Sequence, residues 1–302
     1  MSQWTWDQSA QWVQKSISDP AMDCNPRVLE SLVRLEEKYM PISNYFSLVQ
    51  KNIIAPWMRQ KVTMWMLEVC EETKTDETVF SLAVNMMDRF LSVCQIRRSE
   101  LQLLGAATLF LAAKLRESFS PLTEVEVIVA YTDRSITAQQ LLDMELLILL
   151  KLKWDLYGPV PKDFIKELVQ LLPDDISKSD DVDLVARHAS TYADVVAIDE
   201  KFIMVPPSMV AACCITAAVC GNEKFSANTP EGILGKMQVG IAVETDFLKS
   251  CYSTVADCLK SALFAESDSG DSGMNSGDSS MSSETSSNSI ERVTPDEVDE
   301  NV

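Results

Sequence analysis

The chain has 302 residues, a formal net charge of −19, a hydrophobic fraction of 46% and a single histidine, His188. Its length allows two domains of ordinary size. The negative charge opposes nucleic-acid binding, which needs a basic face for the phosphates, and one histidine excludes most catalytic triads and histidine-rich metal sites. We therefore expect a protein with no metal, no cofactor and no catalytic site.

The eight cysteines form no Cys-x-x-Cys pair, and several lie inside apolar helical patterns. This usage is typical of reduced thiols in a cytosolic or nuclear protein. The N-terminus has neither the basic start nor the apolar core of a secretory signal, and no apolar run reaches the ~18 residues that a membrane span requires.

Helical periodicity dominates the chain, and no strand-like alternation of useful length is present. Residues 1–25 are polar and contain Trp4, Trp6 and Trp12, which predicts an arm that docks through its aromatic side chains. A first helix is predicted from Pro26 to just before Pro41. Five further helices are predicted at about 57–73, 76–94, 99–116, 124–131 and 137–153.

The segment 99–116 is the centre of the predicted bundle, because it is apolar on almost every face and rich in small residues. Such a helix must be surrounded by other helices. Capping boxes are predicted at Ser99 with Gln102 and at Thr137 with Gln140. Lys114 interrupts the apolar pattern, and this makes it the first candidate functional residue.

The sequence Gly-Pro-Val-Pro at 158–161 marks a domain boundary. Five helical patterns follow, and the third is again apolar and rich in small residues, so the two halves are predicted to be a structural repeat. The predicted helices lie at about 162–172, 182–197, 208–219, 232–239 and 244–263. The predicted parts are an arm at 1–25, a helix with a first bundle at 26–156, a second bundle at 157–265 and a tail at 266–302.

The tail contains eleven serines, ten acidic residues and one arginine, and almost no large apolar residues. It cannot bury enough surface to offset its ordering entropy, so we predict that it is disordered.

Several separate segments, in this order, resemble the cyclins: MRQKVTMWMLEV, LAVNMMDRFL, LQLLGAATLFLAAK and LLDMELLILLKLKWDL. The variants KWDL, PKDFI and KFIMVPPSMVAA are similar to those of D-type cyclins. The resemblance implies an all-α fold of two tandem five-helix cyclin-box bundles. It also implies a noncatalytic, activating subunit of a G1 cyclin-dependent serine/threonine kinase. Such a subunit would promote the G1/S transition through phosphorylation of retinoblastoma-type substrates, in the nucleus and cytoplasm.

Two other functions stay open, a kinase-independent scaffold with the cyclin fold and a transcription adaptor. The net charge of −19 opposes the adaptor, because a basic surface facing DNA would be needed.

The resemblance assigns kinase binding to Lys114 and Glu145. The residues themselves agree, since Glu145 lies among apolar neighbours on its own helix, where an unpaired carboxylate is costly. Two simpler interpretations remain open, an internal Lys114–Glu145 salt bridge and a pair of Lys114 with Glu117 at i+3. Further apolar kinase contacts are predicted at Leu103, Leu111 and Leu115.

The resemblance also implies a structural ion pair and a shallow groove for short linear motifs of substrates and kinase inhibitors. The ion pair is Arg59 with Asp88. The groove positions are Met58, Val62, Trp65, Glu68 and Gln102. Lys61 occupies a position that is usually aliphatic in the family, and we expect it to weaken or retune the groove. A plain core stripe is the alternative for these apolar residues.

In the tail, Thr294-Pro295 resembles the phosphorylation site through which D-type cyclins are recognised by a ubiquitin ligase. Ser272 and Ser276 fit an Asp-Ser-Gly-apolar-x-Ser phosphodegron. The chain departs from the family at its start, where Cys24 does not belong to a Leu-x-Cys-x-Glu motif. We therefore expect no docking to the retinoblastoma pocket through that motif.

Overall fold

The computed structural model describes residues 26–42, 44–117, 119–225 and 227–269. Within these ranges the regular secondary structure is helical, as the sequence predicts. The arm at 1–25 and the part of the tail beyond Ser269 lie outside the described residues. No helix in the described ranges is long and apolar enough to cross a membrane.

The first bundle consists of five helices, which follow one another along the chain in the predicted order. They are α3 (Pro56–Thr73), α4 (Glu77–Leu91), α5 (Leu101–Arg116), α6 (Val125–Tyr131) and α7 (Ala138–Lys151). The central helix is α5, which packs against all four others. Ala106, Ala107 and Ala112 are fully buried, and their small side chains let the neighbouring helices come close.

Gly105 is the point of closest approach between α3 and α5. A Cβ atom added there would lie 2.8 Å from Val62 Cγ1 and 3.2 Å from Met66 Sδ on α3. Only glycine allows the two helices to meet at this distance.

The second bundle repeats this arrangement. Its helices are α8 (Pro161–Leu168), the single turn α9 (Asp174–Ser177), α10 (Val182–Ile198), α11 (Pro207–Cys220), α12 (Pro230–Ile241) and α13 (Thr245–Ser269). The central helix is α11, which packs against α8, α10, α12 and α13. Its small residues Ala211, Ala212 and Cys213 are fully buried, so the predicted repeat is confirmed in both order and packing.

The first helix, α1 (Pro26–Glu36), precedes the first bundle in sequence but packs on the second. A single turn, α2 (Tyr45–Leu48), follows it. Leu29 belongs to the core of the second bundle. The buried Glu36 carboxylate accepts hydrogen bonds from the backbone N–H of Ser208 at 2.9 Å and from its hydroxyl at 2.8 Å. A carboxylate at this end of α11 complements the unpaired N–H groups of the first turn.

Three details differ from the sequence-based expectation. The predicted Ser99–Gln102 capping box is wrong, because Glu100 caps this turn by accepting from the backbone N–H of Arg97 at 2.9 Å. The helix α4 ends at Leu91 rather than near Cys94. The helix α13 continues to Ser269, past the predicted end of the second bundle at 265.

The second predicted capping box is confirmed. The Gln140 backbone N–H donates to the Thr137 hydroxyl at 3.2 Å, and the Gln140 side-chain oxygen accepts from the Thr137 backbone N–H at 2.8 Å.

Candidate kinase-binding site

Lys114 and Glu145 form a salt bridge that joins α5 to α7. Lys114 Nζ lies 2.6 Å from Glu145 Oε1. The side chain of Glu145 is 15% exposed and that of Lys114 is 38% exposed, so the pair lies at the protein surface. Glu117 does not compete for the lysine, because its carboxylate accepts from the Asp76 backbone N–H at the start of α4. The internal salt bridge is therefore present in the isolated chain.

Lys114 has hydrogen-bond donors that the salt bridge does not use. Its ammonium also lies 3.6 Å from the centre of the Phe110 ring, a cation–π contact that holds it over the helix surface. An ammonium has three donor hydrogens, and the salt bridge uses one of them. The remaining donors of a side chain that is 38% exposed can reach acceptors of a partner protein.

Exposed apolar side chains occur on the two helices that carry this salt bridge. On α7, Leu142, Leu146 and Leu150 are 40%, 52% and 59% exposed. Near the end of α5, Leu115 is 42% exposed and Phe119 is 93% exposed. Large apolar side chains grouped around a charged pair are typical of an interaction surface.

The other predicted apolar contacts are placed differently. Leu111 is 3% exposed and belongs to the core, so the prediction that it offers contact surface is wrong. It lies on the side of α5 that faces the bundle. Leu103 is half-buried and packs against the same core.

Arg59 and Asp88 form the predicted ion pair, buried between α3 and α4. Arg59 Nε and Nη2 donate to the two Asp88 carboxylate oxygens at 2.8 and 2.7 Å. The Tyr45 hydroxyl donates to the same carboxylate at 2.8 Å. Arg59 also donates to the carbonyl oxygens of Ala197 and Ile198 at the end of α10. The guanidinium thus connects the two bundles, a role that the sequence did not indicate.

The predicted motif-docking residues lie along the α3–α5 contact. Met58, Val62 and Trp65 are half-buried on one face of α3 and pack against the first core. Trp65 Nε1 donates to the Tyr131 carbonyl oxygen at 3.3 Å, which orients the indole. This stripe combines core packing with partial exposure, which a shallow groove requires.

The polar members of this set lie at its edges. Glu68 is exposed on α3. Gln102 is half-buried on α5, one helical turn before Gly105, and its side-chain oxygen accepts from the Ser135 hydroxyl at 3.2 Å. Lys61 Nζ lies 5.2 Å from the centre of the exposed Trp57 ring.

One ion pair between the bundles and one within the second bundle were not predicted. Arg116, at the end of α5, makes two hydrogen bonds to the Asp163 carboxylate at 2.9 and 3.0 Å. Lys162 Nζ lies 2.6 Å from the Asp194 carboxylate and is almost fully buried. The charged dipeptide Lys162-Asp163, directly after the Gly-Pro-Val-Pro boundary, could have indicated these pairs. Its partners are distant in sequence, so the pairing itself could not be predicted.

The tail candidates Ser272, Ser276, Thr294 and Pro295 lie outside the described residues. Among the described residues, no group of three or more His, Cys, Asp or Glu side chains could hold a metal ion.

Comparisons with known families match both bundles. The cyclin N-terminal domain matches residues 27–157, and the cyclin C-terminal domain matches residues 159–271. A viral cyclin from herpesvirus saimiri has a similar fold, with a TM-score of 0.65 and 23% identity over 78% of this chain and 97% of its own. The two bundles are therefore tandem cyclin domains.

Several curated relatives carry more specific names. The chain is 43% identical to G1/S-specific cyclin-D2 of Gallus gallus over 249 residues, 82% of this chain and 81% of the relative. It is 44% identical to G1/S-specific cyclin-D3 of Bos taurus over 246 residues, 81% of this chain and 82% of the relative. G1/S-specific cyclin-D1 of Danio rerio is 43% identical over 242 residues. The chain belongs to the D-type cyclins.

Proposed function

We propose that this chain is the noncatalytic, activating regulatory subunit of a G1 cyclin-dependent serine/threonine kinase and promotes the G1/S transition. The observation that carries the proposal is the surface salt bridge Lys114–Glu145, together with the exposed leucines of α7. In the cyclin family the matching lysine and glutamate bind near the regulatory helix of the kinase. The G1/S-specific names of the relatives support the same assignment.

The mechanism is a population shift in the kinase. The two bundles form a rigid body, because the Arg116–Asp163 ion pair, a hydrogen bond from Lys162 to the Glu77 carbonyl oxygen and shared helix contacts join them. A rigid surface that binds only the active arrangement of the kinase stabilises that arrangement. Pressing the kinase's regulatory helix inward completes the Lys–Glu ion pair of the kinase, on which its phosphoryl transfer depends. The catalytic residues then belong to the kinase and not to this chain.

A pull-down with purified G1 kinases, followed by a kinase assay on retinoblastoma protein, tests the proposal. The wild-type chain should bind and activate at least one of them. Lys114→Glu should abolish activation and retain the helical circular dichroism signal, whereas Lys236→Glu, at an exposed position of α12, should behave as wild type. A folded Lys114→Glu variant with full activity would contradict the proposal, and binding without activation would identify a scaffold.

We propose further that the stripe of Met58, Val62 and Trp65 docks linear motifs of substrates and kinase inhibitors. The support is its partial exposure next to the polar edge residues Glu68 and Gln102. Lys61 lies over the Trp57 ring, and this cation beside the stripe would disfavour basic residues in a docking motif. Binding of a labelled motif peptide to wild type and Trp65→Ala measures this directly.

The tail is proposed to control protein lifetime. Phosphorylated Thr294, Ser272 or Ser276 would add about two negative charges each, which an arginine pocket of a ubiquitin ligase can read. Thr294→Ala should therefore lengthen the half-life in a cycloheximide chase, with Thr229→Ala as a control because Thr229 caps α12. An unchanged half-life for Thr294→Ala removes the site from the proposal. The same proposal places the chain in both nucleus and cytoplasm, which imaging of a fluorescent fusion measures.

A further inference from the structure

A second apolar surface lies on the other bundle, between the turn that precedes α11 and the beginning of α13. We call it the C-terminal groove, and its volume is about 430 Å³. Its walls are mostly apolar, and they include Met204, Val205, Met209, Val243 and Phe247.

The groove leaves large apolar groups in contact with water. Phe247 is 64% exposed and Met204 is 39% exposed. A concave apolar surface with such residues at its edge is typical of a site that is covered in the working protein. The methionine thioethers in the walls also suit an aromatic guest, because sulfur–aromatic contacts are favourable.

We propose that residues 1–25 of the same chain fold back and occupy this groove through their tryptophans. The arm contains Trp4, Trp6 and Trp12, half of the six tryptophans in the chain. Each indole carries a large apolar area and prefers a partly buried, partly wet environment. The tail from 270 to 302 is a poorer occupant, because it contains no aromatic residue.

The connection of the arm to the fold favours this occupant. The arm continues directly into α1, which packs on the second bundle. At one end of α1, Glu36 binds Ser208, and the next residue, Met209, lines the groove. At the other end, Leu29 lies against Gly240, three residues before Val243 of the groove. Twenty-five residues span up to about 80 Å when extended, so the arm reaches every part of the groove.

The opposite charges of the arm and of the groove edge also favour the arm as the occupant. The arm has three aspartates and one lysine, a side-chain charge of −2. At the edge of the groove Lys201 is 67% exposed and is only loosely paired with Asp199, at 3.6 Å. A lysine in this position can meet either an aspartate of the arm or the face of an indole.

Amide hydrogen exchange on the full chain tests the proposal. The comparison is between wild type and a variant with Trp4→Ala, Trp6→Ala and Trp12→Ala. A tether gives an effective concentration on the order of 1 mM, so docking with a Kd of about 0.1 mM would slow exchange of the covered amides about tenfold. We expect the variant to exchange about tenfold faster at 203–206 and 243–247, and equally at α6.

A matched pair of variants tests the groove itself. Phe247→Asp should reproduce the faster exchange at 203–206. Val239→Asp, at an 84% exposed position on α12 outside the groove, should not. A peptide of residues 1–25, added to the triple tryptophan variant, should restore the protection.

Two results would overturn the proposal. One is equal exchange at both segments in wild type and the triple tryptophan variant. The other is protection that rises with protein concentration together with a doubled mass in light scattering, which would identify a second copy of the chain as the occupant.

Discussion

At the scale of single residues, the buried guanidinium of Arg59 joins a carboxylate of the first bundle to the backbone of the second. It satisfies Asp88 within the first bundle and two backbone carbonyls of the second. A buried ion pair contributes less than its Coulomb attraction, because both charges lose hydration, but loss of one partner leaves the other charge uncompensated.

We expect Asp88→Asn to lower the free energy of unfolding by ~3–5 kcal/mol, because Arg59 would remain buried with its charge uncompensated. Urea denaturation followed by circular dichroism measures this. The matched control is Asp174→Asn, which breaks an exposed pair with Lys178 and should have a far smaller effect, because water screens that pair. Equal effects of the two substitutions would contradict the assignment.

Single residues were also where the sequence was most informative about the site. Lys114 and Glu145 could be found because a charge within an apolar helical pattern needs a partner. Leu111 shows the limit of the same reasoning. Every face of α5 is apolar in sequence, so the pattern cannot tell which leucine faces the solvent. That distinction depends on where α7 lies, which is a property of the packed bundle.

At the scale of helices, the contact between α3 and α5 depends on the missing side chain of Gly105. An alanine there would gain up to about 1 kcal/mol in helix propensity. It would also place a methyl group 2.8 Å from Val62 Cγ1, and overpacking of this kind costs ~1–3 kcal/mol.

We therefore expect Gly105→Ala to destabilise the chain by ~1–2 kcal/mol in thermal or urea unfolding, since the steric cost exceeds the propensity gain. Gly235→Ala on α12 is the control, because a Cβ there would meet no atom within 4 Å. The control should stabilise by up to about 1 kcal/mol. A stabilising Gly105→Ala would show that α3 can move away without cost.

Helix order and most boundaries followed from periodicity and caps, and the Thr137–Gln140 box was predicted correctly. The Ser99–Gln102 box failed because the same spacing is offered two residues earlier by Arg97 and Glu100. Glu100 can bind the Arg97 backbone and guanidinium together. When two residue pairs of the same spacing could each cap a helix, the sequence does not show which pair forms the hydrogen bonds. The path of the backbone decides this.

At the scale of the whole molecule, polar contacts hold the two bundles in one arrangement. Asp194 on α10 binds Lys162 on α8 at 2.6 Å, and Lys162 also donates to the Glu77 backbone carbonyl at the start of α4. Burial raises the pKa of Asp194 to about 6, since desolvation outweighs the attraction of Lys162. These contacts link residues 32 and 85 positions apart, so sequence patterns could not reveal them.

The raised pKa gives a pH dependence with a definite sign. The folded state holds the Asp194 proton more tightly than the unfolded state, so stability falls as the pH rises from about 4 to about 6. The Asp194→Asn variant has no titrating carboxyl group at this position. The stability of wild type relative to this variant should decrease by about 1–3 kcal/mol across that window. Urea unfolding at several pH values measures it, and an increase with pH would reverse the assignment.

The central claim is that the Lys114–Glu145 pair acts through a kinase partner and not only as a bond within the chain. The most direct test exchanges the charges, in the double variant Lys114→Glu with Glu145→Lys, and measures activation of a purified G1 kinase. The exchange restores the internal salt bridge, so the free energy of unfolding should recover to near wild type. Activation should stay lost, because the kinase would meet reversed charges. Full activation by the double variant would contradict the account.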